Sequence, residues 1–575
     1  MALQEAEIDV FRVEFLPIVA AYARKLGLVE EIDRLLDCDM EVSPGKIVLA
    51  MILDALSGRS PLFRLKESFA DKDVGLLLGE DVSVDKLTDH TLGRVLERLA
   101  KVGTNKILGA VAMRVIQAFS VDTSHVHQDT TSQSVYGDYL LYEREDHFEP
   151  FVITEGFSKD HRPDLKQLVH CLLCVDHGIP IYSKLHDGNE SDKTINRNLI
   201  PEMVKRMREL GRTDFIYVAD SALVTKENLA LIKKWEGGFL FVSRLPLTYA
   251  ECRRAIRDAV ASERWIDIGA ISEQPVSENR KPASYKAHET TVTVDTDIYR
   301  AVVVFSDAHD RRRQKGVDKQ IRRDLEALSS LKKEMEKIEY ACLADARSAA
   351  HRIAPGAFHD VFVQIEQRPV YSRGRPKADT ARTPKTVNYA LKITLELNEQ
   401  AVEKARQEAG CFVLLTNTPS KGADSIWAKE LLTIYKDQQM VEQNFAFLKD
   451  PVFVNSLFLK SPRRIEALGL VLVLALMIWR LMERAMRINV AATQQKASGW
   501  KDKETSRPTS FMMTTKFVGI FVLVTQGQRR LAKPLTPVQL HYLMLLELTP
   551  DIFTNPAPEA PPHHTRQKKF TQDSS

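Results

Sequence analysis

With 575 residues, of which 44% are hydrophobic and 27% charged, and with only 25 Gly and 25 Pro, the chain is too long for a lone small module and too apolar to be collagen-like or wholly disordered. Its formal charge of +3 predicts neither a nucleic-acid coat nor an acidic tail, but the charge is unevenly spread. Residues 1–128 carry 15 basic and 20 acidic side chains, a local −5, whereas residues 460–575 carry 17 and 8, a local +9, so any polyanion-facing surface is expected toward the C-terminal part. Six cysteines are too sparse for a disulfide framework, and the opening MALQEAEIDVF lacks a basic start followed by an apolar stretch; a reduced, cytoplasmic setting is expected. The longest apolar run, Ala467 to Trp479, has 13 residues and is flanked by Arg463, Arg464 and Arg480. That is short of the roughly 20 needed to span a bilayer, so it reads as a buried core helix with no membrane partner.

Taken in order, residues 1–120 read as a helical N-terminal domain: Ile18 to Leu28, Ile47 to Leu56 and Leu92 to Phe119 place apolar residues three and four apart, with Pro44-Gly45 and Asp89 or Thr91 as start signals. Residues 121–238 turn to short β-rich runs, His125 to Thr131, Leu168 to Val175 and Ile179 to Leu185, then a helix from Thr194 to Leu210 and a strand from Phe215 to Ala219. That pattern is the first part of an α/β sheet. Residues 239–425 read as a β-rich insertion whose strands are interrupted by one long charged helix, from about Gln320 to His351. Helices return at Trp427 to Leu448, Pro462 to Val490 and Thr536 to Leu548, which divides the rest into a second core part (426–490), a basic all-helical region (491–554) and a disordered tail (555–575) with four prolines.

Chemistry gathers at three acidic residues. At 100° per residue, Tyr435, Gln438, Glu442 and Lys449 fall within about 60° of one another on a helix, and Ile434, Val441, Phe445 and Leu448 make an apolar stripe beside them. Glu442 is thereby held on a rigid element at the edge of a sheet, whereas Asp437 points away from the stripe. Strand alternation puts Val126, Gln128 and Thr130 on one face and His127, Asp129 and Thr131 on the other. Asp220 ends a β-run and opens a helix, a place where open α/β sheets set their chemistry but where an Asp also serves as a helix cap.

The order Asp129, Asp220, a long insertion, then Tyr435-x2-Gln438-x3-Glu442-x6-Lys449 resembles the DDE transposases of the insertion-sequence-four superfamily, whose signature is Tyr-x2-Arg-x3-Glu-x6-Lys. The Gln-Asp-Thr-Thr-Ser strand, the Gly156 to Asp164 segment and Gly188-Asn189-Glu190-Ser191-Asp192 are similar to the insertion-sequence sixteen-thirty-four group. The resemblance runs from about Ile8 to Pro550 and departs at Gln438, where a neutral donor and acceptor replaces the arginine that the family places near the DNA. It implies an RNase H-like mixed sheet interrupted by the insertion, in which Asp129, Asp220 and Glu442 hold two Mg²⁺ or Mn²⁺ ions, hard cations that prefer carboxylate oxygen. Tyr435, Gln438 and Lys449 would hold backbone phosphates of double-stranded DNA, both transposon ends and target, with a homodimer forming on the paired ends. The implied activity is metal-dependent cleavage and strand transfer at the inverted repeats of an insertion sequence, in the nucleoid of a bacterium or archaeon. The alternative is a catalytically inactive DNA-binding or regulatory derivative of the same fold; a housekeeping nuclease suits the long flanks less well.

Other patterns carry two readings. Arg373-Gly374-Arg375-Pro376-Lys377 resembles an AT-hook, whose arginines enter the narrow minor groove of A·T-rich DNA, or is an exposed basic loop. The run from Arg311 to Arg323 is a solvated face or a DNA backbone contact. Cys171 and Cys174 lack a second pair at zinc spacing and read as buried small hydrophobes. His125 and His127 read as groups at the sheet surface or phosphate contacts, and Asp122 as part of a turn.

Overall fold

The computed structural model describes the chain apart from residues 1–7, 59, 136–149, 158–161, 163, 236–238, 272–281, 308–309, 372, 374–382, 423, 451–458, 460 and 556–575. Its contacts divide it into two units, Met1–Phe241 with Ile434–Ser575, and Val242–Thr433.

The first unit opens with strand β1 (Ile8–Arg12) and helices α1 (Leu16–Lys25), α2 (Leu28–Leu36), α3 (Pro44–Leu56), α4 (Asp89–Val102) and α5 (Thr104–Phe119). Their starts follow from local chemistry. Ser43 and Thr88 accept hydrogen bonds from the backbone N–H groups of Lys46 and Thr91, donors that the first turn of a helix otherwise leaves unpaired. Strands β2 (His125–Val135), β3 (Lys166–Val175) and β4 (Ile179–His186), helix α6 (Asp192–Glu209), strand β5 (Ile216–Ala219) and helix α7 (Lys226–Lys234) follow. The strand order is β4-β3-β2-β5, with β2 parallel to β5 and the other pairs antiparallel, so the sheet is mixed. Along β3 every residue after Lys166 is buried, as expected of a strand covered on both faces.

The chain passes into the second unit along β6 (Leu240–Arg244), followed by α8 (Ala250–Ser262), β7 (Ile266–Ala270), β8 (Ser284–Val294), β9 (Asp297–Ser306), α9 (Asp310–Met335), α10 (Leu343–His351), β10 (His359–Val370), β11 (Thr386–Leu397), α11 (Glu399–Ala409) and β12 (Cys411–Thr416). β12 lies between β6 and β9, and β8 and β7 extend the antiparallel order. β10 and β11 pair separately over twelve residues each. The single long helix expected from about Gln320 to His351 is two helices. α9 stops at Met335, Glu339 and Tyr340 pair with β11, and Cys342 caps the new start at Asp345 N, while the Glu336 carboxylate takes the Ile393 N–H at 2.8 Å.

The return to the first unit brings α12 (Ala428–Lys436), α13 (Gln439–Lys449), α14 (Pro462–Thr493), the hairpin β13 (Phe521–Thr525) and β14 (Gln528–Leu531), and α15 (Pro537–Leu545). α14 is long and apolar enough to cross a membrane by length and composition, yet 89% of its apolar window is buried inside the protein. The expectation of all-helical N- and C-terminal regions is corrected here. β1 pairs antiparallel with β13 from Ile8↔Thr525 to Arg12↔Phe521, and β13 pairs with β14 around Gln526-Gly527, both at positive φ as a two-residue hairpin turn requires. The tail from residue 556 lies outside the described residues.

The uneven charge of the sequence is partly used up within this unit. Arg529 reaches Asp73 and Glu80, each at 2.6 Å, and Arg464 pairs with Glu97, so acidic N-terminal side chains neutralise basic C-terminal ones. The Asp73 and Arg529 side chains are 4% and 8% exposed. Removing one partner of such a pair strands the other, a loss of about 3 kcal/mol. Arg529→Met should therefore lower the urea midpoint markedly, with partial recovery when Asp73→Asn is added; an unchanged midpoint in the single variant would show the pair to be idle.

Candidate functional site

The parallel register of β2 and β5 sets His125 opposite Ile216, Val126 opposite Tyr217 and His127 opposite Val218. The pairing stops two residues before Asp129 on β2 and two before Asp220, which directly follows the end of β5. Along β2, Val126, Gln128, Thr130 and Ser132 are buried while Asp129, Thr131 and Gln133 are partly exposed, so the expected alternation holds around the carboxylate. Asp129 Oδ1 accepts from Thr130 N at 2.8 Å, and Asp220 Oδ1 from Ala222 N at 3.0 Å. Asp220 is thus the cap of the short turn Ser221–Leu223, and the helix proper begins later, at Lys226 behind its own cap, Thr225. A carboxylate has about four lone-pair sites, so capping and a further role are compatible.

The helix expected from Trp427 to Leu448 is interrupted. α12 ends at Lys436 and α13 begins at Gln439, and the turn between them is wound by three-residue bonds, Gln438 N to Tyr435 O, Met440 N to Asp437 O and Val441 N to Gln438 O. The side chain that stands in place of the resemblance's arginine is engaged inside the protein. Gln438 Nε2 donates to the Gln128 carbonyl at 2.5 Å, one residue before Asp129, and Gln438 Oε1 lies 3.4 Å from His127 Nδ1. His127 is buried rather than at the sheet surface, and burial lowers its imidazole to about 4.

Glu442 is exposed, one turn beyond Gln438, while Val441, Phe445 and Leu448 are buried as the apolar stripe predicts. Asn444 is fully buried. Its Nδ2 donates to the Gly178 carbonyl at 2.7 Å, and its Oδ1 accepts from Arg480 Nε at 2.7 Å, with Arg480 in turn 3.0 Å from Glu483. Glu442 therefore sits between two polar anchors, Gln438 and Asn444. Sequence reasoning missed Asn444 and Arg480; the available signal was an arginine at the end of a 13-residue apolar run. Asp437, placed by the ideal helix away from everything of interest, lies within electrostatic reach of His125, His177 and Arg507, and loss of water around it raises its carboxyl. Tyr435 and Lys449 are partly exposed on the two helices.

Two motifs singled out for their resemblance meet beside β2. Gln167 Nε2 donates to Gly188 O at 2.6 Å and to Phe157 O at 3.2 Å. A Cβ on Gly156 would come within 2.1 Å of Gly188 O, and one on Gly188 within 2.1 Å of Gln167 O, so both positions require glycine. Thr130 Oγ1 donates to Asp192 Oδ1 at 2.6 Å, tying the second motif to the strand of Asp129.

Among the described residues no group of three or more His, Cys, Asp or Glu is gathered closely enough to hold a metal ion. Asp129, Asp220 and Glu442 are thus not gathered into one such group. Cys171 and Cys174 are buried, and burial pushes both thiols up to about 12. Arg373 is exposed, while residues 374–377 of the hook-like segment lie outside the described residues, Arg375 among them. In the basic run, Lys315, Lys319, Arg322 and Arg323 are exposed.

Residues 8–113 match a domain of unknown function, DUF4277. No curated protein matches the chain. Among solved structures it is similar to the cryo-EM structure of the piggyBac transposase synaptic complex with hairpin DNA, at 9% identity and a TM-score of 0.37 over 96% of this chain and 88% of that one. A likeness of that size carries no inference about function.

The burial of His127 has a measurable consequence. Its imidazole stays neutral to about pH 4, while the unfolded chain takes the proton near the model-peptide value of about 6.5. As pH falls through that window the unfolded state binds the proton first, so stability drops by about 3 kcal/mol and levels off below pH 4. His170, lowered to about 3 by burial, adds a second loss of the same sign. His127→Asn should flatten the decline in urea-unfolding free energy between pH 7 and pH 5, and a decline of undiminished slope would show that His127 does not drive it.

Proposed function

We propose that the chain is a DNA transposase that cuts and joins the inverted ends of its own insertion sequence by a DDE mechanism, with Asp129, Asp220 and Glu442 as the catalytic carboxylates. The observation that carries this reading is the parallel pairing of β2 with β5, which leads on one strand to Asp129 and ends on the other just before Asp220, with the Glu442 helix anchored through Gln438 to the backbone beside Asp129. The family resemblance in the order and spacing of these residues supplies the reaction class.

The donor chemistry fits hard divalent ions. The candidate ligands are three carboxylates, whereas the Cys171 and Cys174 thiols are buried and pushed up, and the buried His127 imidazole faces Gln438. Asp129, Asp220 and Glu442 would hold two Mg²⁺ or Mn²⁺ ions, which when bound lower the pKa of the attacking water or 3′-hydroxyl and stabilise the leaving oxygen. Asp129 and Asp220 keep their places through the strand pair. Gln438 and Asn444 fix the helix turn on which Glu442 is exposed, so the protein's own contribution is to limit how far that carboxylate must travel to join the pair. Tyr435 and Lys449 on the same helices would hold phosphate oxygens, Arg373 and Arg375 the minor groove beyond β10, and two copies would pair the two ends.

Glu442→Gln, Asp129→Asn and Asp220→Asn should each reduce Mg²⁺-dependent cleavage of end-bearing duplex by at least about a thousandfold while leaving its binding largely intact. Asp437→Asn should leave cleavage within a few-fold of the parent. Survival of cleavage in Glu442→Gln alone would reassign the third carboxylate; survival in all three would end the DDE reading, and an inactive parent that binds end DNA would favour the regulatory derivative.

A further inference from the structure

The N-terminal region is acidic overall, yet one of its faces is not. Helices α2, α5 and α6 line an open groove of about 740 Å³ into which Arg34, Lys106, Arg114, Lys205 and Arg206 converge against two acids, Glu31 and Glu209. All its residues belong to the first unit. Glu31 is shared: Arg34 donates to both of its oxygens, and Arg114 Nε donates to Oε2 at 2.9 Å, so one carboxylate faces two guanidinium groups. Arg206 is set into the wall. Its Nη2 donates to Asn105 O at 2.8 Å and its Nη1 to Glu209 at 2.9 Å, while its buried Nε has no hydrogen-bond partner among the described residues.

Two glycines make this arrangement possible. A Cβ on Gly109 would lie 1.9 Å from Arg206 Nη1, and one on Gly27, at φ +60°, 2.1 Å from Arg114 Nη1. The guanidinium groups thus lie against bare backbone on the groove walls, already ordered before anything binds. Lys106 and Lys205 are exposed and form no ion pair among the described residues.

We propose that this groove is a binding surface for the sugar-phosphate backbone of duplex DNA, an inference that rests on the transposase reading. Five cations against two acids give a local excess of three, and fixed arginines beside mobile lysines suit a row of phosphates, which position a duplex without reading its sequence. The acids that make residues 1–128 negative are drawn off elsewhere, Asp73, Glu80 and Glu97 among them.

The test uses the full-length chain and a random-sequence DNA duplex, with affinity measured by fluorescence anisotropy between 50 and 200 mM salt. Each lost phosphate contact lowers the slope of log affinity against log salt by about 0.9, so Lys106→Ala/Lys205→Ala should reduce it by about 1.8 without altering the melting temperature. Gly109→Ala, which displaces Arg206, should weaken binding at every salt concentration. If the parent binds duplex DNA and the double variant keeps its slope, the groove assignment falls and the transposase reading stands. A reduced slope on an RNA duplex with none on DNA overturns the assignment to DNA. A parent that binds no duplex of either kind overturns both.

Discussion

The Gln438 amide donates into the Gln128 carbonyl, and Asn444, six residues further, donates into the Gly178 carbonyl while accepting from buried Arg480. Between them these bonds determine where Glu442 lies relative to the strand that carries Asp129. Buried polar groups of this kind are costly to leave unpaired, so the helix has little freedom to slide or rotate without breaking several bonds at once. The rest of the first unit supports that clamp: α14 supplies Arg480 and Glu483 just after its apolar run, and β3 and β4 carry the turn that presents Gly178.

Much of this was legible from the sequence because it depends on local periodicity. The alternation along β2 predicted which side of the strand Asp129 takes, and the apolar stripe predicted the burial of Val441, Phe445 and Leu448. What failed was reasoning that extended an ideal helix across a turn wound more tightly. The break at Asp437-Gln438 rotates the two ends relative to the ideal 100° step and brings Asp437 toward His125 and His177, neighbours that no pattern within its own helix could announce. The roles of Gln438 and Asn444 were equally hidden, since their partners are backbone carbonyls more than 260 residues away.

The charge distribution teaches a related lesson. Segment sums of −5 and +9 describe composition along the chain, but surfaces are made in space, and ion pairs such as Arg529 with Asp73 and Glu80 cancel the two sums against each other. In the groove of α2, α5 and α6, Arg34, Lys106 and Arg114 of the acidic segment meet Lys205 and Arg206 from beyond it. The C-terminal hairpin was missed for a simpler reason: Val522 to Thr525 followed by Gln526-Gly527 is a strand-turn signal that the surrounding helical periodicity obscured.

The first unit is discontinuous in sequence, since the chain leaves it after Phe241 and rejoins it at Ile434. During synthesis, both aspartates and their strands emerge from the ribosome while the helix of Glu442 is still untranslated, and β1 waits for β13 more than 500 residues later. At about 5–20 residues per second that interval lasts tens of seconds, during which the face of β2 that α13 will cover is exposed to water and to neighbouring chains. The same separation means that a nascent chain holds Asp129 and Asp220 without the helix of Glu442 until residues 439–449 have been made.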